Sequence, residues 1–169
     1  MKKLIPLSFF FISVKAFSQD TAKLVNQIDS LVYQYNHTDL EKQQDTVTNS
    51  LLDGRIKTKV YLTSLTDKGR LKKYSSISEF SGMITDKVEE SKGYNIFYFD
   101  NGHLIKVEEG MSGAKGNADM IWYLNNDILI HHNIKSDLGA GKAPSEEKIR
   151  ERGEQLVEMA KGFLQKFNP

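Results

Sequence analysis

The chain has 169 residues, a formal net charge of +1, 39% apolar residues and no cysteine. That length suits one domain with a core of useful size. The missing thiols exclude disulfides, thiolate zinc sites, iron–sulfur clusters, cysteine nucleophiles and a thiol-linked lipid anchor.

Residues 1–18 read as an export signal. Lys2 and Lys3 give a positive start, and Leu4 to Val14 is an 11-residue apolar stretch. Ala16-Phe17-Ser18 then places small residues at the two positions a signal peptidase reads. The stretch is too short for a membrane span. The Met-Lys-Lys start and the Phe-Ser-Gln-Asp junction resemble signals of Gram-negative bacteria. The expected mature protein is residues 19–169, a single domain in the periplasm or outside the cell. Cleavage removes three of 23 basic residues and none of the 22 acidic ones, so the net charge falls to −2. Such a surface has no electrostatic footprint for nucleic acid or anionic lipid. No later segment has the length of a membrane span, so no membrane insertion is expected after signal removal.

Asp20 is placed to cap a helix in which Leu24, Val25, Ile28, Leu31, Val32 and Tyr35 recur at helical spacing. Residues 36–53 are polar and show no period. From Gly54 the period becomes two. Ile56, Thr58, Val60 and Leu62 alternate with Arg55, Lys57, Lys59 and Tyr61, which predicts a half-buried strand with a basic outer face. Asp67-Lys68-Gly69 supplies a turn, and Leu71 to Ile77 returns. Over residues 78–93, Phe80, Met83, Ile84 and Val88 fit a short helix, whereas Gly82 and the run Glu89 to Gly93 favour a loop.

Two hairpins then read as copies. Tyr98-Phe99-Asp100-Asn101-Gly102-His103-Leu104-Ile105 matches Tyr123-Leu124-Asn125-Asn126-Asp127-Ile128-Leu129-Ile130 with an offset of 25. Asn101-Gly102 tolerates the positive φ of a type I′ turn, and Asn126-Asp127 is a weaker version. Asp67-Lys68-Gly69-Arg70-Leu71 echoes both. Three related hairpins give about six strands in an antiparallel meander. After Pro144, Ser145 caps a second helix with Glu146 and Glu147 in its first turn. Ile149, Leu156, Ala160, Phe163 and Phe167 line its apolar stripe. Gly153 and Gly162 are expected to mark close packing against the sheet. The Tyr-Phe-Asp-Asn-Gly-x-Leu-Ile-Lys hairpin resembles units of small exported bacterial proteins of unknown function. More loosely, it resembles the hairpins of MORN-type repeat proteins, over roughly residues 54–134. The resemblance implies a hairpin-repeat architecture and carries over no functional residue. The expected fold is therefore α+β: an N-terminal helix, the meander, and a C-terminal helix packed on the sheet.

No cofactor, metal or catalytic residue is predicted. Gly139-Ala140-Gly141-Lys142 lies between a strand and a helix, as in a phosphate-binding loop. However, Ser136 replaces the first glycine and Ala143 the hydroxyl that would hold magnesium. Gly110, Gly113 and Gly116 predict a mobile loop. His131 and His132 are adjacent on a strand and point to opposite faces, and neither they nor His37 or His103 have zinc-site spacing. Two-residue turns at 101–102 and 126–127 put Phe97, Phe99, Lys106, Trp122 and His131 on one apolar face. Helices from a two-layer domain would cover only one face, so either the sheet curls and buries Phe97 and Trp122, or these five residues stay available as the candidate binding face. The expected function is a non-enzymatic binding module for a protein or a small apolar ligand. The alternatives are a hydrolase with its site near Asp137, or a structural part of an envelope assembly.

Overall fold

The computed structural model of the chain describes residues 8–84, 87–137 and 144–167. Helix α1 spans Ser8–His37. It is followed by β1 (Glu41–Leu51), β2 (Ile56–Asp67), β3 (Arg70–Ile84), β4 (Lys87–Asp100), β5 (His103–Gly113), β6 (Gly116–Asn125), β7 (Ile128–Ser136) and α2 (Glu146–Phe167). The seven strands form one antiparallel sheet whose spatial order is their chain order. The expected α+β meander with its N- and C-terminal helices is therefore the observed fold.

Several elements differ from expectation. Asp20 caps nothing, because α1 already runs through it. Residues 41–51 form a seventh strand. The described residues of the stretch 78–93 are neither helix nor loop. They carry the far ends of β3 and β4, paired from Ser78↔Gly93 to Ile84↔Lys87. Glycines there do not break the strand, because each leaves room for a neighbour. A Cβ on Gly82 would meet the Phe80 ring at 2.8 Å, and one on Gly93 would meet Ser78 Oγ at 3.0 Å. Gly110 and Gly113 likewise sit in β5, and Gly116 begins β6, so the expected mobile loop is a hairpin end.

The three related hairpins turn tightly as predicted. Both central residues have positive φ at Lys68-Gly69 (50° and 77°), Asn101-Gly102 (49° and 82°) and Asn126-Asp127 (50° and 62°). That is the signature of a type I′ turn, whose twist matches that of the strands. Each hairpin also carries a bulge at the same place. Tyr98 pairs with Lys106 while Phe99 pairs with Leu104, which leaves Ile105 as the extra residue. Ile130 is the extra residue between Tyr123↔His131 and Leu124↔Leu129, and Lys72 between Leu65↔Lys73 and Thr66↔Leu71. Beyond each bulge the side chains change face.

The helices cover opposite faces of the sheet. Ile149, Leu156 and Ala160 of α2 close over Leu71, Phe97, Phe99, Leu104, Val107, Trp122 and Leu124. Phe163 stacks on Tyr74 at 4.1 Å and meets the edge of Phe97 at 5.1 Å. Gly153 lets α2 approach, since a Cβ there would touch Leu129 at 3.4 Å, whereas Gly162 faces open space. On the other face Ile28, Val32 and Tyr35 of α1 pack on Tyr98, Ile105 and Tyr123. Burying each large apolar side chain is worth about 1.5–3 kcal/mol, so the α2 face supplies most of the core.

Candidate functional site

The expected binding face does not exist as one accessible surface. Phe97, Phe99 and Trp122 are 1%, 0% and 2% exposed beneath α2. Two helices cover two faces, so the aromatic face left open on a two-layer reading is core. The bulges move the other two residues. Lys106 lies on the α1 face, where its ammonium meets Asp29 at 2.9 Å and Glu108 at 2.9 Å. His131 is exposed on that same face beside Tyr123, while His132 stacks near Trp122 on the α2 face.

The polar groups under the helices serve docking. Burial would depress the Lys106 ammonium, but hydrogen bonds to Glu108 and Asp29 outweigh it and hold it above its ordinary value. Tyr123 donates its hydroxyl to Asp29, and Tyr35 donates to Asp100 at 3.0 Å. On the α2 face, buried Glu109 accepts from Trp122 Nε1 at 2.9 Å and from Arg152 Nε at 3.2 Å. Among the described residues no buried side-chain nitrogen or oxygen is left without a partner, so these networks hold the helices in place.

What the helices leave bare is the end of the sheet away from the type I′ turns. On the α1 face, alternate residues of β2, β3 and β4 put Lys57, Lys59, Tyr61, Glu79, Ser81, Glu90 and Lys92 side by side. All of these except Tyr61 line a concavity of about 560 Å³, which extends to Thr48 of β1 and Ser112 of β5. Its charges form a ladder. Lys92 meets Glu79 at 3.0 Å, Tyr61 donates to Glu79 at 3.2 Å, and Lys59 lies over the Tyr61 ring at 4.7 Å. The Lys92 hydrogen bond holds the Glu79 carboxyl below its ordinary value, and Glu79 in turn raises Lys92. Lys57 and Glu90 flank the ladder with no hydrogen bond or ion pair among the described residues, and so offer one charge of each sign. The opposite face of this end is mildly apolar, with Val47, Val60, Ile56 and Phe80 only partly covered.

Sequence reasoning found Lys57 and Lys59 as the basic face of β2, but missed Glu79, Glu90 and Lys92. They fall in the stretch read as helix or loop. The signal was the alternation Lys92, Tyr94, Ile96, Tyr98, which runs back from the core into that stretch.

Other candidates resolve into structure. Asp137 donates its N–H to Asn117 O at 2.9 Å, and its carboxylate accepts from Asn117 N. It thus extends the β6–β7 pairing instead of facing a pocket. Residues 138–143, with the phosphate-loop pattern, lie outside the described residues. Among the described residues no group of three or more His, Asp or Glu side chains is placed to hold a metal ion. Among them, too, no helix is long and apolar enough to cross a membrane. Compared with known protein families, curated proteins and solved structures, the chain matches none.

Proposed function

We propose that the protein is an exported, non-enzymatic binding module that docks a protein partner on the uncovered end of its sheet. The carrying observation is the Lys59–Tyr61–Glu79–Lys92 ladder, whose three charged members line an open concavity together with Lys57 and Glu90. Its charges are already paired in the free protein, so part of the side-chain ordering that docking needs is in place. The lining is charged and hydroxyl-rich and the concavity is open, which suits a complementary protein surface better than a small apolar ligand.

Export is part of the same reading. The described core contacts of α1 begin at Val25, so cleavage before Gln19 would remove none of them. Mass spectrometry of the exported form should give Gln19 as its first residue, and an N-terminus at Met1 would refute export by cleavage. For docking, a photo-crosslinker placed at Ser81 or Ser112 should capture one partner from envelope extract. Lys57→Glu/Lys59→Glu should abolish that capture while far-UV circular dichroism stays unchanged. Equal capture by the charge-reversed protein would refute the concavity as the site.

A further inference from the structure

The two rims of the sheet are β1 and β7, and they are unequally protected. Free strand edges are normally blunted by shortness, bulges, proline, lysine or a covering element. β7 has nine residues and a bulge near its start. β1 has eleven residues in unbroken register with β2, and all eleven are exposed. It contains no proline and one lysine, Lys42.

Two observations show which backbone groups of β1 point outward. Thr46 N–H donates to the Asp45 carboxylate at 2.7 Å, a bond made by a group with no strand partner. Independently, Met83 N–H donates to Arg55 O at 3.0 Å, which commits the odd-numbered residues of β2 to β3. The even-numbered residues of β2 then bond β1 through Val47, Asp45 and Asn49. By the alternation of antiparallel ladders, Gln44, Thr46, Thr48 and Ser50 present their N–H and C=O groups to the free side.

We propose that this edge pairs with β1 of a second copy of the chain. The strands run antiparallel about a two-fold axis at Val47, joining the two sheets into one. This register puts Val47 opposite Val47, Thr46 opposite Thr48, Asp45 opposite Asn49 and Gln44 opposite Ser50. Across residues 43–51 no like charges meet, and Asp45 faces an amide donor. An axis at Asp45 would set carboxylate against carboxylate, and one at Thr46 would set Asp45 against Val47. Outward-pointing Thr46 and Thr48 fall at hydrogen-bonded positions. Val47 falls at the close, non-hydrogen-bonded position, where paired β-branched side chains touch. Thr46 N–H passes from Asp45 to the Thr48 carbonyl of the second copy, which frees the Asp45 carboxylate for Asn49. Val47 and Leu51, now 41% and 62% exposed, become covered on the α2 face. The contact uses the same patch on both copies, so it closes at a dimer.

The test uses the full mature chain. Sedimentation should show a dimer that dissociates on dilution. Thr48→Pro removes an outward N–H, a change edge strands tolerate. It should give a monomer with unchanged circular dichroism, and Val47→Lys, which leaves the backbone intact, should do the same. The chain has no cysteine, so Val47→Cys creates a single thiol at a spacing a disulfide spans. Mild oxidation should link Val47→Cys into dimers and leave Asp45→Cys unlinked. A wild-type protein that stays monomeric at millimolar concentration would overturn the proposal. So would a dimer that survives both edge variants, or preferential linking through Asp45→Cys. Lys57→Glu/Lys59→Glu should remain dimeric, which separates failure of this pairing from failure of the docking site.

Discussion

At Gly110 an added methyl group would sit 2.5 Å from Tyr94 Cε1 and 2.8 Å from the Ala118 carbonyl oxygen. The Tyr94 ring crosses β5 at this point to reach Asp119 on β6, donating to it at 2.7 Å. Gly110→Ala should therefore cost about 1–3 kcal/mol through overpacking. Gly113→Ala meets nothing closer than Ser91 Cβ at 3.2 Å and the Glu90 carbonyl oxygen at 3.5 Å, and should cost less. Gly102 has nothing within 4 Å of a Cβ, but its φ of 82° makes valine strained. Gly102→Val should lose about 1–3 kcal/mol for that backbone reason alone, and urea melts of the three variants check the order. The Tyr94 hydroxyl is pushed up to about 12, first by burial and then by Asp119. The folded protein thus keeps a proton that the unfolded chain releases near 10. Stability from this group is complete below pH 10 and is lost as the pH climbs through 12. Tyr94→Phe should flatten that part of the alkaline melting curve. Trp122 is the single tryptophan and is buried, so its emission should be blue and protected from iodide. Trp122→Ala should cost about 3–5 kcal/mol.

Helix α2 is held by an apolar stripe and one buried ion pair. Glu109 is 3% exposed, with Arg152 and Trp122 as its partners. Arg152→Ala would strand a buried carboxylate at a cost of about 3–5 kcal/mol, and the loss should appear as a red shift of Trp122 emission. Arg152→Ala combined with Glu109→Gln should recover part of it, because the amide oxygen still accepts from the indole without carrying charge. The α2 stripe itself was legible in the sequence, as were α1 from Leu24 to Tyr35 and all three type I′ turns. Each is written by local spacing or by residues that tolerate positive φ. The bulges were not legible. Tyr98 and Tyr123 look as if they belong opposite Ile105 and Ile130, and a one-residue offset leaves no mark in an alternation that is apolar on both faces. That offset placed Lys106 and His131 on the wrong side. β1 was illegible for a different reason: an edge strand exposed on both faces needs no apolar period.

As a whole the molecule is a sheet clamped from both sides at the turn end and bare at the other. The candidate site could not be read from single residues, because it exists only where β2, β3 and β4 are aligned beyond the reach of either helix. One expectation belongs to the intact chain. The described α1 contacts with the core run from Val25 to Tyr35, so a protein carrying Ile28→Ala and Val32→Ala together should melt below the unchanged chain. Calorimetry of the two forms checks this. The identity of strand order and chain order also governs how the protein forms. Each strand finds its partner across one short turn, so the sheet can zip forward hairpin by hairpin with small loop-closure penalties. The N-terminal helix is the exception. Its Asp29 must wait for Tyr123, 94 residues downstream. While the chain is being made, α1 thus precedes every strand it will dock on, and its Asp29 partner Tyr123 arrives among the last of them. Docking of α1 is therefore a late event, which can follow only once the strands that carry Tyr98, Ile105 and Tyr123 are in place.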